Sequence, residues 1–189
     1  MIRRCGTRHN GSVIDIRLAH TALLDATDRA AARALLDIVF DGLLDDDWEH
    51  ATGGMHVLVR DGADLVAHGS VVQRRLLHGG RALRTGYVEA VGVHPARRGE
   101  GHAAAVMTAV EEIIRGGYDL GALGSSEMAL GFHKARGWRV WRGPTAALTP
   151  DGVRRTSDDD GGVHVLPVDG VPLDLDGELV ADWRDGDVW

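Results

Sequence analysis

Cysteine, paired histidines and long apolar runs are all missing or nearly so, and each absence excludes a class of protein. Cys5 is the only cysteine in 189 residues, so no intramolecular disulfide can form and no multi-cysteine zinc site exists. The ten histidines are scattered without an HxH or HxxxH pair, and no metal is expected. Apolar runs such as Ala34-Leu35-Leu36 and Val71-Val72 fall far short of the roughly 18 residues a membrane span requires, so no membrane partner is expected. Met1-Ile2-Arg3-Arg4-Cys5-Gly6 carries charge but leads into no apolar stretch of signal-peptide length, which points to the cytoplasm. What remains, 44% hydrophobic and 26% charged, is enough for one sizeable core and short for two, so a single domain over 1–189 is expected.

Charge says more by position than in total. The formal net charge of -7 argues against a nonspecific nucleic-acid binder, whose surface must neutralise phosphates. From Asp151 to Trp189 there are eleven acids against Arg154, Arg155 and Arg184, a local net of -8. Asp41, Asp45, Asp46, Asp47 and Glu49 form a second acidic stretch with no base in it. Between Gln73 and Arg98 the sign reverses, with six arginines against Glu89 alone, a net of +5. Such runs are compatible with solvated faces, or with an anionic ligand meeting the middle and a cationic one meeting the acids.

The apolar pattern gives an ordered set of elements. Val13–Leu18 alternates as a first strand, and Leu23–Phe40 has Ala30, Ala31, Ala34, Leu35 and Ile38 at helical spacing. Met55–Arg60, Asp64–Leu77 and Arg81–Val93 read as an antiparallel meander separated by Asp61-Gly62 and Gly79-Gly80. Gly101–Arg115 is a helix with Val106, Val110, Ile113 and Ile114 on one side, stopped by Gly116-Gly117. Tyr118–Leu123 reads as a buried strand, Ser126–Arg136 as a helix, and Trp138–Leu148 as a strand interrupted at Gly143-Pro144. Val163–Val168 is the last expected strand, and the Asp-rich tail with Trp183 and Trp189 is expected to pack on the body. This order is α+β, a central mixed, mostly antiparallel sheet flanked by helices.

Arg98-Gly99-Glu100-Gly101-His102-Ala103 lies between a strand and a helix. A glycine-rich turn there lets backbone N–H groups approach an anion, aided by the helix dipole. The Walker and Rossmann loops use the same physics, but neither GKT/GKS nor GxGxxG occurs.

Arg98-x-x-Gly101-x-Ala103 resembles the acetyl-CoA pyrophosphate loop of the GNAT N-acetyltransferases. Further motifs in order resemble the aminoglycoside 2'-N-acetyltransferases: Asp47-Trp48-Glu49-His50, Gly53-Gly54-Met55-His56, Gln73-Arg74-Arg75-Leu76, Gly86-Tyr87-Val88-Glu89, Ala135-Arg136-Gly137-Trp138, Gly143-Pro144-Thr145, Asp158-Asp159-Asp160-Gly161, Val165-Leu166-Pro167 and Asp182-Trp183-Arg184-x-Gly186-Asp187-Val188-Trp189.

The resemblance implies a GNAT fold holding acetyl-CoA where two parallel strands splay. Val91, Gly92 and Val93 match backbone contacts to acetyl-CoA, and Arg98, Gly99, Glu100, Gly101, His102 and Ala103 match its pyrophosphate loop. The implied partner is a polycationic aminoglycoside, acetylated in a direct ternary complex as a means of antibiotic resistance. Asp159, Asp160, Asp187 and the carboxylate of Trp189 match substrate contacts, as do Ala90 and Asp47, so that the acidic segment of about 151–189 completes the substrate site. Glu89 matches the base. An amine must lose a proton before it attacks a thioester, and a carboxylate within the otherwise apolar Tyr87–Val91 strand is costly without a task. Packing is the expected role of Trp183, whereas Trp189 offers an indole and a carboxylate to a cationic sugar. A homodimer is the assembly the family suggests.

Three positions depart from the family. Its Phe-Tyr pair, with Tyr as the acid for the departing thiolate, stands here as Phe132-His133; His133 is either a replacement acid or an idle surface histidine. An expected substrate Asp a few residues before Asp47 is met by Asp41-Gly42-Leu43, so Asp41 substitutes with a shift or the contact is lost. A substrate-contacting Ser is Gly124, with Ser125 beside it. Two other functions fit the residues: a GNAT for another cationic amine or aminosugar, and a noncatalytic aminoglycoside binder.

Overall fold

The computed structural model describes residues 3–9, 12–125 and 129–189. Cα packing divides the chain into two compact units, Met1–Val72 with Val88–Glu112, and Gln73–Tyr87 with Ile113–Trp189. The chain passes between them inside two long strands, β4 (Asp64–His78) and β5 (Arg81–Val93), and inside the helix α3 (His102–Gly117).

The first unit is built on an antiparallel meander. Strand β1 (Arg3–His9) pairs with β2 (Ser12–His20), β2 with β3 (Met55–Asp61), and β3 with β4. Helix α1 (Ala26–Val39) starts at Asp25, whose carboxylate accepts the Asp28 amide at 2.8 Å, and it buries Ala32, Leu35 and Leu36. Asp28, itself buried, accepts from Arg17 on β2 and from Arg60 on β3, tying the helix to two strands. The helix ends in a Schellman turn: Asp41 has φ +55° and the Gly42 amide reaches back to the Asp37 carbonyl at 3.0 Å. A short helix α2 (Asp45–His50) follows. On the other side of β4, a Cβ at Gly69 would lie 2.5 Å from Val106 Cγ1. Only glycine lets α3 approach the strand so closely.

In the second unit β5 pairs in parallel with β6 (Leu120–Gly124), through Thr85–Tyr87 and Leu120–Ala122. Strand β10 (Val163–Pro167) lies antiparallel to β6, and β7 (Arg139–Val140) antiparallel to β10. The tail supplies β11 (Leu179–Asp182), antiparallel to β4 and parallel to β8 (Thr145–Thr149), which forms a hairpin with β9 (Gly152–Arg155). Buried Tyr87, Leu120, Trp141 and Leu179 are among the core residues of this unit. The Trp141 indole N–H donates to the Gly177 carbonyl at 3.0 Å.

The expected α+β class, with a mixed and mostly antiparallel sheet, is observed. Several boundaries differ. Strand β1 precedes the expected first strand. The expected strand over Trp138–Leu148 is two strands with different partners, because Gly143 and Pro144 break it where the Gly143 amide turns to the Leu175 carbonyl. The expected helix over Ser126–Arg136 is seen as α4 (Leu130–Ala135), and Ser126, Glu127 and Met128 lie outside the described residues. The tail packs as expected, but through β11 and Trp189, while Trp183 is 46% exposed and so does not anchor it.

Candidate active site

In the first unit the site residues follow one another along β5 and the loop beyond it. Glu89 is half-buried, and its main-chain carbonyl accepts from Ser70 Oγ at 3.3 Å. Ala90 adopts φ +51°, a left-handed conformation in the middle of a strand, and its carbonyl accepts from His68 Nδ1 at 2.9 Å. A residue turned this way breaks the pleat and re-aims its neighbours. Val91, Gly92 and Val93 complete the strand, and a Cβ on Gly92 would lie 3.2 Å from Leu36 and Val39 of α1.

The Arg98–Ala103 loop then turns with Gly99 at φ +82° and Gly101 at φ +85°, and nothing lies within 4 Å of where their side chains would begin. The helix α3 starts at His102, so the loop amides and the positive end of the dipole lie together. Glu100 is the wrong charge for an anion site, and the fold draws it off. Arg97 bridges it to Asp61, at 2.9 and 2.8 Å, and His102 Nε2 lies 3.2 Å from the same carboxylate. The hydrogen bond from Arg97 holds Glu100 below its ordinary carboxylate range.

In the second unit the acids separate into two kinds. Asp160 is committed internally: one oxygen accepts the Thr145 amide and hydroxyl, both at 2.9 Å, and Arg155 grips the carboxylate at 3.1 and 2.7 Å. Arg155, first, and then Thr145 hold it far below the usual carboxylate range. Asp159, one residue earlier, goes the other way. Burial raises its pKa, and the negative charge of Asp187 adds to the rise, with smaller contributions from Asp158 and Asp160.

A buried arginine secures the tail that carries Asp187. Arg74, 5% exposed, donates to Asp182 Oδ1 and to the Asp182 carbonyl at 2.7 Å each, and to the Val188 carbonyl at 2.5 Å. The guanidinium groups of Arg74 and Arg184 lie 4.8 and 5.4 Å from the Tyr87 ring centroid. Trp189 is buried, its indole N–H donating to Thr156 Oγ1 at 2.9 Å. Its main-chain oxygen is 3.5 Å from where a Cβ on Gly124 would stand. Gly124 therefore leaves room beside the end of the tail.

Residues 23–141 match the family model described as Acetyltransferase (GNAT) domain. An aminoglycoside 2'-N-acetyltransferase of Mycolicibacterium fortuitum is 52% identical over 177 residues, 92% of this chain and 91% of that protein. The chain belongs to the aminoglycoside 2'-N-acetyltransferase family. Solved GNAT-type structures agree on the fold at much lower identity. The Brucella melitensis GNAT acetyltransferase crystallised with acetyl-CoA is 14% identical with a TM-score of 0.57, covering 87% of this chain and 94% of its own. Escherichia coli ElaA is 18% identical with a TM-score of 0.57, covering 80% and 98%.

Within this chain the positions that depart from the family acquire definite surroundings. His133 is buried, which removes the idle-surface reading; its ring lies 6.0 Å from Trp138 and 6.2 Å from His164, centroid to centroid. Asp41 is exposed and occupies the helix position where glycine or asparagine is usual. Asp47 is partly used in its own helix, its carboxylate accepting the Leu44 amide at 3.4 Å. The Trp189 indole is packed inside the unit instead of standing as an open face. Sequence reasoning named Arg74 and His56 only within motifs and gave no role to them or to His68. Their signal was a polar residue at a buried position of a strongly apolar strand.

Proposed function

We propose that the protein transfers the acetyl group of acetyl-CoA to the 2'-amino group of an aminoglycoside in a direct ternary complex, with Glu89 as general base. The observation that carries the substrate class is the neighbourhood of Asp159 and Asp187. Asp159 is raised first by burial and then by the charge of Asp187, and a ligand bearing several ammonium groups relieves that repulsion. Kinship at 52% identity along nearly the whole chain supports the 2'-amine as the acceptor.

The Arg98–Ala103 loop fits an anionic cosubstrate. Gly99 and Gly101 keep side chains out of the way, Glu100 is neutralised by Arg97, and Arg98 is exposed. Val91, Gly92 and Val93 offer main-chain groups to the rest of acetyl-CoA, which when bound supplies a thioester carbonyl. Glu89 takes the proton from the substrate ammonium, directly or through water, and frees the nitrogen lone pair for attack. His133 supplies a proton to the departing sulfur in the role the family gives to Tyr. Asp159 and Asp187 hold further ammonium groups, and Asp160 keeps their loop in shape. Ala90, Gly124, Asp41 and Asp47 line the substrate side in the same reading. A homodimer acting in the cytoplasm, with antibiotic resistance as the outcome, belongs to this proposal.

The test is release of free CoA thiol from acetyl-CoA, in parallel with an aminoglycoside bearing a 2'-amine and a matched one bearing a 2'-hydroxyl. Turnover with the 2'-amine alone is expected. Turnover with neither, while acetyl-CoA binds, would reject the enzyme reading in favour of an aminoglycoside binder; equal turnover with both would move the acceptor to another amine.

A further inference from the structure

Two fully buried histidines stand on the strands beside the one that carries Glu89, and the reaction as described uses neither. His56 and His68 are neighbours across β3 and β4, with His56 Nδ1 2.9 Å from His68 Nε2. At one end His56 Nε2 is 2.8 Å from Thr21 Oγ1, and at the other His68 Nδ1 is 2.9 Å from the Ala90 carbonyl. Every member belongs to the first unit.

A carbonyl can only accept, so His68 must carry its proton on Nδ1. In the neutral ring that leaves a lone pair on Nε2, which takes the proton of His56 Nδ1–H. His56 Nε2 is then an acceptor, and the Thr21 hydroxyl donates to it. Thr21 Oγ1 in turn accepts the Gly53 amide at 2.9 Å. The Gly54 carbonyl, a competing acceptor for that hydroxyl at 3.1 Å, already receives the Thr21 amide at 2.9 Å. Every proton thus has one direction, from Gly53 N–H through three side chains to Ala90. Both rings stay neutral. Burial, aided by the charges of His68, His20 and Arg29, lowers His56 to about 3; burial lowers His68 to about 4 against the opposing pull of the Ala90 carbonyl.

The far end of this chain is Ala90, at φ +51° and next to Glu89, the one non-glycine strand residue among the described residues held in a left-handed conformation. An L-residue is strained there, and only surrounding structure keeps it so. We propose that His56 and His68 are positioning residues, a one-directional hydrogen-bond relay that fastens the Ala90 carbonyl and so sets where the Glu89 carboxylate and the Val91 amide point. If Ala90 relaxed to an ordinary extended conformation, the pleat would shift and both groups would face elsewhere. The catalytic consequence rests on Glu89 as the base; the relay itself does not.

The first test needs no variant. In full-length protein with ring-15N histidine at neutral pH, NMR is expected to show His56 and His68 both protonated on Nδ1, with N–H···N coupling from His56 Nδ1 to His68 Nε2. An Nε2–H tautomer or a charged ring at either position would overturn the proposal. The second test separates positioning from packing. His68→Asn retains a donor near the Nδ1 position and His68→Leu retains none. In the thiol-release assay His68→Leu is expected to lose roughly 10- to 100-fold in kcat, with the KM for aminoglycoside little changed, while His68→Asn recovers most of the rate. Equal losses in both, or loss in neither, would overturn it. If His68→Leu does not fold, the tautomer measurement still decides. A fully active Glu89→Gln with the relay signature intact would instead remove the base assignment and leave the relay standing.

Discussion

In the proposed reaction the two compact units carry different kinds of group. In the first, the groups assigned to acetyl-CoA are main-chain atoms. Their surroundings are electrically quiet: Glu100 is held by Arg97, and the buried histidines are neutral. In the second, the groups assigned to the aminoglycoside are side-chain carboxylates, and one of them sits under repulsion from its neighbour. An invariant cosubstrate can be held by backbone, which no point substitution deletes. A substrate class that varies in the number and placement of amines is met by acids that change one residue at a time.

This contrast can be tested from its strongest point downward. Glu89→Gln is expected to lower kcat by about 10²- to 10⁴-fold, with the thermal midpoint unchanged; thiol-release kinetics and a melting curve check both halves. A comparable loss from Asp159→Asn would break the division between the units. Arg74→Ala removes three hydrogen bonds of a buried guanidinium and leaves Asp182 and Val188 without them. Urea unfolding should report a loss of about 2–4 kcal/mol. At temperatures where the variant is folded, calorimetry should find aminoglycoside binding weakened far more than acetyl-CoA binding. Gly69→Ala drives a methyl group into Val106, and about 1–3 kcal/mol of stability should be lost by the same urea measurement.

The smallest effect is the most diagnostic. Asp159 titrates at higher pH in the folded protein than in the unfolded chain, so the folded state holds the extra proton over that window. Its contribution to stability therefore falls as pH rises through its titration, while affinity for a polycation grows. Asp159→Asn should raise the thermal midpoint at neutral pH by roughly 1–3 °C and weaken aminoglycoside binding by about tenfold. A midpoint that falls instead would mean that Asp159 is structural like Asp160.

Much of the fold was legible because its signals are local. Strand β5 matches its expected limits, and α3 its expected face, since Val106, Val110 and Ile114 repeat at helical spacing and all three are buried. Strand β11 was not legible. Leu179–Asp182 is short, bounded by acids, and a strand only because β4 and β8 receive it. The same limit applies to the site. Asp159 and Asp160 are adjacent and chemically identical, and sequence expectation gave both to the substrate. The three-dimensional position of Arg155 and Thr145 is what commits one of them elsewhere. Trp183, expected to pack, is exposed and Trp189 is buried for the same reason: which indole is covered depends on how the tail is pinned, and Arg74 lies 108 residues before the Asp182 it holds.

That separation also bears on the order in which the molecule assembles. The pairing of β3 with β4 joins segments that are near in the chain and that of β2 with β3 spans 35 to 47 residues, whereas β11 reaches β4 only after a loop of more than half the polypeptide has closed. Ring closure on that scale slows folding, and a strand that waits for it leaves two sheet edges open in the meantime. Pulse-labelled hydrogen exchange during refolding should protect the amides of β2 and β3 well before those of β11. The interval between them is when an incompletely folded chain would be most prone to aggregate.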